Sequence, residues 1–148
     1  MNDINNDEIL DAISELAPKH MHQYLKNALE TPDFDFDRAG MILTGEINSS
    51  SMIVKTSRVD RQDSLWVVVK DEVYDFLCTK SVAYRTERTE AGTSIKNVIS
   101  IVAAAVAGKL HLALGVITGI VTLAVIGAFK LTKNAWCKLQ TERRASNS

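Results

Sequence analysis

The chain is poor in the residues that usually advertise chemistry. Its 148 residues include two cysteines and three histidines. Cys78 and Cys137 lie far apart with no CxxC, and two cysteines alone cannot make a metal site. They are expected to be free thiols in a reducing compartment. His20 and His22 are two residues apart, so on a helix they point away from each other and share no ion. There is no P-loop, GxSxG, HExxH or dinucleotide-binding glycine pattern. No catalytic set and no cofactor is therefore expected, and the chain reads as a non-enzyme. The opening stretch, Met1 to Glu8, has neither the basic nor the apolar region of a secretory signal. The front half is accordingly expected to stay in the cytoplasm.

Charge and hydrophobicity are segregated behind an ordinary average. The net charge is -1, yet residues 1–95 carry 17 Asp/Glu against 10 Lys/Arg, and residues 96–148 carry one acid against seven bases. Such asymmetry points to a membrane or to nucleic acid. The bases decide between them. Lys96, Lys109, Lys130, Lys133, Lys138, Arg143 and Arg144 interrupt or flank apolar runs and form no basic stripe interleaved with aromatics. Nucleic acid is thereby excluded as the expected partner.

With only two prolines, the chain offers few sharp stops. Ile9, Ile13, Leu16, Ala17, Met21, Tyr24, Leu25 and Ala28 recur at spacings of three and four, which defines one helical face. Pro18 kinks or splits that helix, and Thr31-Pro32 ends it. Residues 41–47, 51–59 and 64–70 are short runs rich in Ile, Val, Leu and Trp, separated by turn residues. They are expected to form a small antiparallel meander. Residues 71–90 return to helical spacing, with a strand over 81–86 as the alternative. Asp35, Asp37, Gly40 and Glu46 fall in the register of a calcium loop, but Ala39 supplies no ligand and the flanks lack paired helices. The segment is a weak candidate, and no metal is expected.

The long apolar segment runs from residue 95 to 131. Residues 112–129 hold no charge over 18 positions, about 27 Å as a helix and close to the roughly 30 Å of a bilayer core. Thr118 and Thr122 can return their hydroxyls to the helix backbone. Lys130, Lys133 and Trp136 resemble an interfacial anchor. The arm at 98–108 is too short to span alone, so Gly108, Lys109 and His111 read as the tip of a helical hairpin. A single span is the alternative. Gly115, Gly119 and Gly127 share one face and suit close helix packing in lipid.

These observations predict an α+β chain with a cytoplasmic head at 1–93, a membrane-embedded hairpin or span at 94–133 and a basic polar tail at 134–148. The expected partners are the lipid bilayer, further copies of the chain, and a cytoplasmic signal or protein. The expected function is a self-associating membrane protein of a bacterial inner membrane that permeabilises it as a toxin-like or defence effector. The alternative is a soluble or peripheral oligomeric subunit whose apolar helices bury against partner chains.

Overall fold

The computed structural model describes residues 6–46, 64–79, 94–110, 113–131 and 133–146. Among these, regular structure consists of seven α-helices and one 3-10 turn, without a strand. The helices are α1 (Asn6–Leu16), α2 (His22–Glu30), α3 (Phe36–Leu43), α4 (Leu65–Cys78), α5 (Ile95–Leu110), α6 (Leu114–Leu131) and α7 (Lys133–Ser146). The expected α+β class is thus overturned. Pro18 divides the first helical stretch: α1 stops at Leu16, and Pro18 opens the 3-10 turn Lys19–Met21.

The meander fails where the structure describes it, for a definable reason. Residues 64–70 are rich in β-branched residues, which suit a pleated surface. Yet Trp66, Val69, Val73, Phe76 and Leu77 are buried at spacings of three, four, three and one, which is a helix stripe. Ser64 caps the helix by accepting a hydrogen bond from Val67 N at 3.2 Å. Phe36, Ala39, Gly40 and Leu43 likewise share one face of α3, and Asp35 caps it through Arg38 N at 3.0 Å. Packing of a whole face overrides the local strand preference. Residues 51–59 and 81–86 lie outside the described residues.

The core is organised around α6. This helix contacts α1, α2, α3, α4, α5 and α7, and every residue from Ile117 to Ala128 is buried. Full burial of each Ile, Leu or Val contributes about 1.5–3 kcal/mol, so the stretch supplies much of the driving force for folding. Helices α5 and α6 pack against each other as a hairpin. The surrounding helices turn apolar stripes inward: Ile9, Ala12 and Ile13 from α1, Leu25, Ala28 and Leu29 from α2, and Val98, Ile99 and Val102 from α5.

Cys78 and Cys137 are joined by a disulfide with their Cα atoms 5.6 Å apart. This corrects the expectation of two free thiols, which rested on their distance in sequence; folding α7 back against α4 brings them together. With a sequence separation of 59, loop-closure entropy gives the bond a stabilising effect of about 4 kcal/mol.

Two glycines distinguish packing from tolerance. A Cβ on Gly40 would fall inside the indole of Trp66, whereas a Cβ on Gly108 meets nothing within 4 Å. Gly40→Ala is expected to cost about 2 kcal/mol or more by overpacking. Gly108→Ala is expected to stabilise by about 0.5–1 kcal/mol through helix propensity. Urea unfolding of the two variants, followed by tryptophan fluorescence, checks both signs.

Candidate functional site

Two features stand out on this framework: the sheathed helix α6 with its exposed hairpin tip, and a cluster of polar ties at the opposite end. Helix α6 is apolar on every side, with a mean hydropathy of 2.1 over 18 residues, and 67% of that window is buried inside the chain. Its two buried threonines are satisfied internally: Thr118 Oγ1 donates to Leu114 O and Thr122 Oγ1 to Thr118 O, each at 2.7 Å. The helix therefore needs neither water nor a side-chain partner, a condition common to protein cores and lipid.

The sheath is open at the tip. Ala113, Leu114, Gly115 and Val116 are all exposed, and Leu114 and Val116 are 53% and 48% accessible, among the most exposed large apolar side chains described. Lys109 stands beside them at the end of α5, where its Nζ reaches Glu72 Oε2 on α4 at 2.5 Å. Glu72 is buried and Lys109 largely exposed, so the pair ties α5 to α4 from the water side. His111 lies outside the described residues.

The three glycines of the predicted packing face have separate surroundings. Gly115 has open space around it. A Cβ on Gly119 would stand 2.7 Å from Met21 Cε and 3.2 Å from Pro18 Cδ, and one on Gly127 would stand 3.1 Å from the Phe36 ring. Gly119 and Gly127 thus admit the 3-10 turn and α3 of the same chain.

The residues read as an interfacial anchor also serve the chain's own packing. Lys130 Nζ donates to Ala28 O at 2.8 Å and to Thr31 O, so a cation closes the C-terminus of α2. It also lies 5.7 Å from the centre of the Phe36 ring. Trp136 is buried in the core cluster. Lys133 opens α7.

Asp37 is the hub that sequence reasoning undervalued. Its Oδ1 accepts from Trp66 Nε1 and Lys70 Nζ, both at 2.9 Å, and its Oδ2 accepts from Arg143 Nη1 at 2.6 Å. One carboxylate thereby joins α3, α4 and α7. Burial raises its pKa, but the hydrogen bonds from Lys70 and Trp66 and the charges of Lys70 and Arg143 together outweigh it. The net effect holds the carboxyl below its ordinary value of 3.8. Glu46 accepts from Trp66 N at 3.0 Å and from Thr44 Oγ1. Asp35, Asp37 and Glu46 are therefore a helix cap, a hub and a second brace for Trp66. α3 runs through the would-be calcium loop. Among the described residues, no group of three or more His, Cys, Asp or Glu is placed to hold a metal ion.

Compared with protein-family models, with curated proteins and with solved structures, the chain finds no match. What it does must therefore be read from the geometry. A half-open cleft of about 380 Å³ lies at the foot of α6, lined by Phe34, Phe36, Asp37, Lys130, Trp136 and Arg143 among others. The charged groups named there already serve each other or the backbone: Arg143 pairs with Asp37, and Lys130 caps α2. The cleft is where the sheath is fastened, and it presents no assembled set of acid, base and nucleophile.

The hub has a pH signature. Its carboxyl has a lower pKa folded than unfolded, so its stabilising contribution is present above about pH 4 and is lost as pH falls through the folded value. Asp37→Asn is expected to lower the urea midpoint at pH 7, with the gap from the parent chain closing below about pH 4. A gap that stays constant with pH would contradict the assignment.

Proposed function

We propose that the protein is a membrane-active helical globule that carries a bilayer-seeking hairpin, α5 and α6, inside a sheath of its own amphipathic helices. The observation that carries this reading is that α6 is apolar all round and buried along its middle, yet open at its N-terminal turn. A bilayer core is about as apolar as the interior that now surrounds α6. Moving the helix between them costs little in hydrophobic terms, and the barrier lies in opening the sheath.

The tip at 113–116 makes first contact with lipid, and the sheath helices turn their apolar stripes onto the interface as the hairpin enters. At 18 residues α6 is about 27 Å long, close to a bilayer core, whereas the apolar part of α5 at 98–108 is about 16 Å, so the second arm enters only part-way. The Cys78–Cys137 bond brackets the hairpin. While closed it keeps both feet on the same side of the membrane, which supports the hairpin over the single span. Once α6 leaves Met21 and Phe36, the face of Gly119 and Gly127 becomes a small-residue surface on which copies can pack.

The oligomeric-subunit alternative is the competing reading. That reading needs partner chains to cover the apolar helix, and α6 is covered by its own.

Vesicles of phosphatidylcholine and phosphatidylglycerol loaded with a self-quenching dye test the reading. The chain is expected to release dye, and Leu114→Glu with Val116→Glu to slow release at least ten-fold. Both side chains are about half exposed, so urea stability is expected to change by no more than about 0.5 kcal/mol. Intact vesicles at all protein concentrations, with the Cys78–Cys137 bond closed and with it reduced, would make α6 a soluble core helix and overturn the proposal.

A further inference from the structure

Helix α7 follows α6 after a single residue and packs against it, so α6 cannot leave the sheath freely while α7 stays fastened. The fastenings are unequal. Arg143 and Asp37 form an ion pair whose side chains are 46% and 39% exposed. Tyr74 OH and Thr141 Oγ1 share an exposed hydrogen bond at 2.8 Å. Contacts of this kind, bathed in water, hold weakly. Trp136 and Gln140 add burial. A further fastening is covalent: the Cys78–Cys137 disulfide joins the end of α4 to α7.

We propose that this disulfide is a thiol-sensitive strap. Closed, it pins α7 to α4 beside the foot of α6; reduced, it lets α7 lift and α6 follow. The proposal rests on the reading of α6 as a bilayer-seeking helix. Six residue steps separate Leu131 from Cys137, a reach of roughly 20 Å even fully extended. With the bond closed, the foot of α6 therefore stays near the end of α4 wherever its tip goes. With the bond open, that limit disappears, and α7 is held by the burial of Trp136 and Gln140 and by the exposed polar contacts.

The chemistry is ordinary thiol–disulfide exchange with a dithiol. A thiolate of the reductant attacks one Sγ, the S–S bond breaks, and the other cysteine leaves as a thiolate that takes up a proton. The second thiol of the reductant then displaces the first cysteine from the mixed disulfide. Two electrons and two protons reach Cys78 and Cys137, and the reductant departs as its own disulfide. Both cysteines are part-buried at the edge of the core rather than sealed within it. The strap persists where dithiols are scarce and opens in a reducing compartment.

The test compares the oxidised full chain, the same chain treated with dithiothreitol, and the C78S/C137S variant. Amide hydrogen exchange and dye release from the vesicles described above are read in parallel. Reduction is expected to speed exchange across residues 117–128 and 134–143 at least ten-fold while helix content by circular dichroism holds. Dye release should rise by a similar factor, and C78S/C137S should match the reduced chain without dithiothreitol.

Equal exchange in the oxidised and reduced chains would overturn the strap. So would loss of helix content on reduction, since the bond would then be a general staple. Faster exchange with vesicles that stay intact would keep the strap and discard the membrane reading. Equal, rapid dye release from both forms would discard the strap and keep the membrane reading.

Discussion

An eighteen-residue helix that is apolar on every side has no face to turn to water. This constraint governs the rest of the fold. An amphipathic helix needs one neighbour, but α6 needs a ring of them, and all six other described helices touch it. The amphipathic stripes of α1, α2 and α5 exist because each must cover one sector. Close approaches fall where α6 carries no side chain, at Gly119 against Met21 and Pro18 and at Gly127 against Phe36.

The sheath's polar ties gather at the foot of α6, and large apolar side chains are exposed at both of its ends, Leu131 being 47% accessible at the foot. Asp37 gathers Trp66, Lys70 and Arg143, Lys130 closes α2, and the disulfide joins α4 to α7. At the other end Leu114 and Val116 stand in solvent. On the proposed membrane reading, the hairpin tip leads because it lies away from this cluster of ties, and the ties at the foot limit how far α6 withdraws.

The apolar segment, the split at Pro18 and the inward hydroxyl bonds of Thr118 and Thr122 were legible in the sequence, because each depends on local composition or on one residue's covalent geometry. The helices α3 and α4 were not. A run such as Val67-Val-Val69 suits a strand locally, and only the longer stripe from Trp66 to Leu77 reveals a helix. Ser64, three residues before Val67, was a readable cap that went unused. The hub was hidden for a different reason: Asp37 and Arg143 are 106 residues apart, and no short motif records a contact of that range. Lys130 and Trp136 had the right residue types for a membrane anchor. Their places as a helix cap and a core residue follow from the fold around them.

The account stands on one claim, that this chain covers its own apolar helix without help from detergent or from other copies. Sedimentation velocity of the purified chain in detergent-free buffer tests it most directly. A monomer of 16.3 kDa that stays in solution at micromolar concentration is the predicted result. A chain that sediments only as oligomers, or that precipitates until detergent is added, would show that α6 is covered from outside and would contradict the account.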